Sequence, residues 1–434
     1  MDSDIKEIQR IKNYLLFRLS LCSLVFISPI SLIGFFIFSI NNTFARNIYS
    51  NISFNSLTYP CILVTCFIFL SSCIGADNKL EAFIVSLNFI PFFLLFLAVA
   101  NTFNTYKFKQ VLICILVTSI PVIFFAIIEF AFNQYGYYNT SRLISQDSQI
   151  RYPRSTSVFD NSNGLASYLV ILLAISLGIF IEHTKRYIYN PNLLANLYNN
   201  KVLFLTKTYI CFNILAIGCA QSRNGFLVAS IVMIFASTLI LKFKDLYFLI
   251  CLLIIATVCF YSLKNITLMR HLGGELSLTS SMAREILTFA TDSRTKIWEI
   301  AISLGKQRPF LGWGLGNYKL LYPVQSIGTP PHPHNLWLML FAETGLMGTV
   351  SLNIFVGHIL CQSVRRIHLI EKEKQSILII FLMAFSASVM FHFFDCPLFD
   401  ARINCLNWIF LAGIFSLSSR ASPHNTALEP TSQK

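Results

Sequence analysis

"AFIVSLNFIPFFLLFLAVANTFNTYKFKQVLICILVTSIPVIFFAIIEFAFN", residues 82–133, decides the fold class. Its two apolar runs, 82–100 and 111–133, each approach the length of about 20 residues that a helix needs to cross a bilayer. The loop between them, 101–110, carries Lys107 and Lys109. The same pattern recurs at 19–40, 56–74, 164–182, 203–220, 225–241, 246–262, 336–361, 376–394 and 403–418, which makes eleven runs.

Composition agrees. The 434 residues are 55% hydrophobic and 12% charged, and mean hydropathy is +0.63. A soluble protein has roughly twice that charged fraction. The expected fold is an all-α polytopic membrane protein with about 11–12 transmembrane helices. Residues 1–262 form N-terminal membrane helices with short loops, and 263–335 a large outer loop with short amphipathic helices. Residues 336–418 form C-terminal membrane helices, and 419–434 a cytoplasmic tail. The net charge of +13 suits anionic membranes and substrates. The basic residues are scattered over short loops, which argues against nucleic acid. Most of the twelve cysteines, such as Cys61, Cys66, Cys114, Cys211, Cys251 and Cys259, sit in apolar runs. No C-x-x-C pair exists, so they read as packing residues.

Lys and Arg in short loops set orientation. Loops 101–110, 183–201, 242–245 and 362–375 are basic and read as cytoplasmic. Loops near 134–163, 221–224, 263–333 and 395–402 then face outward. Eleven spans conflict with a basic N-terminus (Lys6, Arg10, Lys12, Arg18) on the inside. A hinge near Pro29, splitting 14–50 into two crossings, resolves this as twelve spans. The N-terminal segment lacks a small-residue cleavage site and reads as a retained span.

The outward loops hold the chemistry-bearing residues. "CAQSRNGFL" puts Arg223 in a short turn, as a snorkelling cation or an anion ligand. "TDSRTKIWEIAISLGKQRPF" has Ile297, Ile300, Ala301 and Leu304 at helical spacing, with Asp292 or Ser293 as a cap and Arg294 in the first turn. A cation there opposes the helix dipole. "RPFLGWGLGNY" reads as a flexible turn with Trp313 and Tyr318 able to stack on a sugar, and only weakly as a phosphate loop.

In "PHPHNLWLMLFAETGLMG", residues 331–348, Asn335 can cap a helix and pins His334 at the mouth of a span. His332 and His334 read as a structural pair, a metal chelate lacking a third ligand, or a general base. The base reading is preferred, with His332 a spectator and no metal. Gly345 and Gly348 permit close packing or a break. In "FDCPLFDAR", either Asp395 or Asp400 can orient His334 or pair with Arg402.

The ordered set "AQSRNGF", "DSRTKIWEIAISLGKQRPFLGWGLGNY" and "PHPHNLWLMLFAETGLMG" resembles the bacterial O-antigen ligase and Wzy-type polymerase superfamily. "RSTSVFDNSNGLASYLV" resembles its F-x-N-P-N-x-x-A-x-Y-L element, with Ser162 in place of the commoner proline. The resemblance covers residues 150 to 405. It implies a GT-C-like inverting glycosyltransferase that needs no metal or cofactor. The donor would be a glycan on undecaprenyl diphosphate. By motif, Arg223 and Arg294 would bind the diphosphate, with Asp395 and Arg402 completing the substrate-binding set, and His334 would activate the acceptor hydroxyl. Ligation to lipid A–core ranks first and polymerisation second; protein O-glycosylation ranks third, because the protein-directed enzymes of this family often carry a C-terminal extension and this chain ends about 16 residues after its last span. The contrasting class is a lipid or polysaccharide transporter, which would place ionisable groups near the bilayer midplane and show internal repeats; here Glu129 and Glu182 lie near span ends and no repeat is visible.

Overall fold

The computed structural model describes residues 2–44, 58–134, 154–189, 193–239, 294–321 and 332–419. The described residues form helices and contain no strand. Seven helices are long and apolar enough to cross a membrane, and three shorter apolar ones accompany them. The run 246–262 and the possible caps Asp292 and Ser293 lie outside the described residues.

The chain begins with α1 (Asp2–Ser23) and α2 (Ser28–Phe44). They are hinged where the sequence suggests, with Pro29 in the first turn of α2. Proline is tolerated there because its missing N–H has no helical partner anyway. Phe17 of α1 and Phe38 of α2 both pack on Phe103, with ring centroids 4.7 and 6.0 Å away. Phe103 lies just before the helix Thr105–Gln134, whose first turns carry Lys107 and Lys109, so both helices of the hairpin pack near this basic end.

Next come α3 (Thr58–Ile74), α4 (Lys79–Ser86), α5 (Ile90–Thr102) and α6 (Thr105–Gln134). Asn78 caps α4 by accepting the Glu81 N–H. Then come α7 (Ser162–Tyr189), α8 (Leu193–Ala220) and α9 (Arg223–Thr238). In α8, Lys207 lies over the Phe180 ring, which accommodates a cation within the helix's apolar run. The surface helix α10 (Arg294–Gln307) buries Ile297, Ala301 and Leu304, three of the four residues marked by periodicity. The C-terminal helices are α11 (Leu336–Arg366), α12 (Lys372–Phe391) and α13 (Ala401–Ser419). The most apolar windows of α7 and α13 are 89% and 94% buried, so these two helices form the centre of the bundle. The starts of α7, α9, α11 and α13 and the end of α12 meet at the end opposite Phe103. At the basic end, Lys109 pairs with Glu373.

α11 departs from the expected single span at 336–361. Gly345 adopts φ 66° and ψ −169°, breaking the helix. Trp337 Nε1 then donates to Asn353 Oδ1 at 3.2 Å. In a straight helix these residues would stand about 24 Å apart. The arm 336–344 therefore folds back beside 346–353, and the crossing proper starts near Leu346. The loop 309–317 clasps the break. Trp313 N–H donates to the Ala342 carbonyl (3.0 Å), Gly314 N–H to that of Glu343 (2.8 Å) and Leu346 N–H to that of Pro309 (2.7 Å). Gly312 must be glycine, because its φ is +68° and an added Cβ would sit 2.4 Å from the Glu343 carbonyl carbon. "RPFLGWGLGNY" is thus a clasp rather than a flexible turn. Its aromatics are engaged within the protein. Trp313 lies under Arg308 (3.7 Å) and donates to the Leu304 carbonyl. Tyr318 is buried and donates to the Ile297 carbonyl.

Candidate active site

Three non-glycine residues among those described have positive φ: Ser157 (51°), Gln221 (47°) and His334 (51°). Such backbone costs on the order of 1–3 kcal/mol per residue and persists only where the surroundings impose it. The three lie in the three loops that meet at the site end, ahead of α7, α9 and α11.

The loop before α11 starts with His332 and Pro333. Trp298 of α10 donates to the Pro333 carbonyl at 2.9 Å. Asn335 caps α11 as expected, accepting the Leu338 N–H at 3.0 Å, and its amide donates to the Phe393 carbonyl. His334 is held between these anchors. Its Nδ1 lies 3.0 Å from Asp395 Oδ1. An ionised carboxylate only accepts, so Nδ1 carries the proton and Nε2 keeps its lone pair. The side chain stays about a third exposed.

Asp395 sits in the corner between α12 and α13 and is nearly buried. Oδ1 also accepts the Cys396 N–H at 2.8 Å, and Oδ2 accepts the Asn163 amide at 2.8 Å. Burial alone would raise this carboxyl. The His334 hydrogen bond, the two neighbouring imidazoles and the Cys396 N–H outweigh burial and hold it below the ordinary carboxylate range. The group stays ionised near neutral pH.

His332 belongs to the cluster rather than standing apart. Its Nε2 lies 3.9 Å from Asp395 Oδ1. Its ring stacks on Phe399 and meets His334 edge-on at 4.6 Å. Its Nδ1 accepts the His334 N–H at 3.3 Å. Burial pushes this imidazole down to about 4 against the pull of Asp395, so it is neutral. The expectation that no third metal ligand stands near the two histidines needs correction. Asp395, 61 positions after His334, brings the three ligand atoms within 4.8 Å of one another. As bonded here, the nitrogens facing Asp395 carry protons on both rings. An ion would have to displace both.

Asn163, in the first turn of α7, joins this cluster to the arginine turn. Its Oδ1 accepts from Ser222 Oγ at 2.9 Å, and Ser222 caps α9 by accepting the Gly225 N–H. Asn224 donates to the Phe394 carbonyl at 3.2 Å. Arg223 is therefore flanked by two residues that both bond towards Asp395, and its side chain is exposed. Arg294 opens α10 one turn before Trp298, on the helix face that meets Pro333.

Asp400 and Arg402 divide from Asp395 cleanly. Arg402 makes a two-pronged contact with Asp400 at 2.8 and 2.7 Å, donates to the Val158 carbonyl and covers the Phe159 ring at 4.1 Å. The guanidinium expected to bind substrate is engaged in bracing the 154–163 loop. Glu129 braces the same loop, accepting the N–H groups of Thr156 and Ser157 at 2.8 and 2.6 Å. Asn163 and Ser222 lie within the sequence motifs, but no spacing rule gives either a role. The signal was their place beside Ser162 and Arg223.

Three segments thus converge: a serine–arginine turn, an arginine-bearing surface helix and a histidine-headed arm. Residues 209–352 match the family model described as O-antigen ligase. The matched region is about a third of the chain and contains Arg223, Arg294 and His334. Asn163, Asp395 and Arg402 lie outside it and reach the site through the fold. No curated protein matches the chain. The match supports the resemblance to the O-antigen ligase and Wzy superfamily. It also supports a ligase- or polymerase-type function in lipopolysaccharide synthesis, carried out by a multi-pass membrane protein.

Proposed function

We propose that the protein is an inverting glycosyltransferase. It moves a glycan from undecaprenyl diphosphate to an acceptor hydroxyl, and the acceptor is lipid A–core. The observation that carries this is the His334–Asp395 hydrogen bond, which leaves Nε2 of a partly exposed imidazole as a base. Imidazole is suited to take a hydroxyl proton near neutral pH. In the reaction, His334 Nε2 takes the proton of the acceptor hydroxyl. The acceptor oxygen bonds to the anomeric carbon, and the bond to the diphosphate oxygen breaks. The leaving diphosphate gains negative charge, which Arg223 and Arg294 offset by paired N–H contacts. Asp395 holds the imidazole in the required tautomer and steadies its charged form. Arg402 acts indirectly, by holding the loop that delivers Asn163. The site end of the bundle faces the periplasm of the inner membrane, as the basic loops at the other end argue.

The test is a lipopolysaccharide gel of a deletion strain. Lipid A–core lacking any attached glycan supports the ligase. Core carrying a single repeat unit would make the protein a polymerase instead. An unchanged gel would sink both.

A further inference from the structure

Each proton in the chain Ser222–Asn163–Asp395–His334 is determined by its neighbours. The Asp395 carboxylate cannot donate, so the amide nitrogen of Asn163 must face it, at 2.8 Å. The amide oxygen then faces Ser222, whose hydroxyl must donate to it. The serine lone pairs are left to take the Gly225 N–H at the start of α9. At the other end, Asp395 Oδ1 receives His334 Nδ1. Only a side chain with one donor and one acceptor fits between Ser222 and Asp395. Arg402, Glu129 and Asn161 hold the loop that presents it, the last by accepting the Gly164 N–H at 2.7 Å.

We propose that Asn163 is a positioning residue that fixes the Asp395–His334 pair and ties it to the turn bearing Arg223, so that base and anion ligand keep one register. This rests on the transfer reading above. Serine in place of the preceding proline, at Ser162, leaves α7 its start while Asn163 supplies the polar link.

The test uses the full-length protein in membranes with an undecaprenyl diphosphate-linked glycan donor. Rates are normalised to protein abundance and read as kcat and KM between pH 5.5 and 9 for Asn163→Leu, Asn163→Asp, Gly357→Ala and His334→Ala. Asn163→Leu keeps the volume and loses both bonds. Its kcat should fall on the order of 100-fold, the usual consequence of an ångström-scale misplacement, with thermal stability close to that of Gly357→Ala. Gly357→Ala, where an added methyl meets nothing within 4 Å, should transfer normally. Asn163→Asp places a second carboxylate against Asp395, and the pair should share one proton. With that proton on residue 163 the link to Asp395 is restored, so activity survives at low pH. When the pair ionises fully the link becomes repulsive, so a falling alkaline limb should appear that the native protein lacks. The other titratable groups facing Asp395 are His334 and His332 ahead of α11, His392 at the end of α12 and Cys396, and all four are unchanged in this variant.

Near-native kcat in Asn163→Leu and a native pH profile in Asn163→Asp, with His334→Ala inactive, would overturn the Asn163 role alone. An active His334→Ala would remove the base, and its positioning residue with it.

Discussion

His334 Nδ1 and Asp395 Oδ1 are 3.0 Å apart although 61 residues separate them in the chain. The contact joins the arm ahead of Gly345 to the corner between α12 and α13. It makes the histidine at position 334, rather than its neighbour at 332, the imidazole with a nitrogen left for chemistry.

Removal of a general base typically costs about 10²- to 10⁴-fold in rate. His334→Ala should lose transfer to that degree while folding and inserting normally. His332→Ala should show a smaller loss, because it removes the ring that stacks on Phe399 and accepts the His334 N–H. Glycan transfer per unit of protein checks both. The reverse order of severity would move the base to His332.

Arg223→Lys and Arg294→Lys should be nearly as damaging as the alanine variants, since an ammonium cannot reproduce a planar fork on a diphosphate. Donor KM and kcat in purified protein measure this. Full transfer by both lysine variants would reduce the arginines to surface charges.

Transfer should continue in EDTA, because the two nitrogens that face Asp395 already carry protons, one by its bond to Asp395 and one by tautomer. Zinc should inhibit by displacing them, and His332→Ala should weaken that inhibition by removing one of three ligands. Activity lost in EDTA and restored by zinc or magnesium would instead make the cluster a working metal site.

Acid should destabilise the site. Burial holds His332 at about 4, below the roughly 6.5 of an unfolded histidine, so the folded state binds fewer protons between these values. Stability therefore falls as pH drops from about 6.5 towards 4. Asp395 is also depressed, so its contribution is present above the unfolded carboxylate value and is lost at still lower pH. Thermal unfolding followed by tryptophan fluorescence at pH 7 and pH 5 should show the loss, and His332→Gln should flatten it. Equal slopes in the two proteins would count against a buried neutral His332.

The clasp on α11 should be intolerant of a methyl group. At Gly312 the positive φ alone costs a side chain on the order of 1–3 kcal/mol, and the 2.4 Å approach to Glu343 adds to it. Gly312→Ala should lower both melting temperature and transfer. Gly357→Ala, which meets nothing within 4 Å, should be neutral or stabilising by up to about 1 kcal/mol. Equal behaviour of the two variants would refute the clasp.

The sequence by itself determined the membrane helices, the hinge at Pro29, the amphipathic helix starting at Arg294 and the cap at Asn335. Each depends on local chemistry: apolar length, residue spacing, or a side chain bonding three residues along. It also singled out Arg223, Arg294 and His334, because their motifs are contiguous. The fold-back at Gly345 was hidden, since it depends on a clasp from residues 309–317. So was the division of labour between Asp395 and Asp400, two carboxylates five positions apart with equal claims on His334 and Arg402. Only the packing of α7, α9, α11 and α13 placed Asn163 against Asp395 and Val158 against Arg402. Those contacts span 232 and 244 residues, and no spacing rule reaches that far.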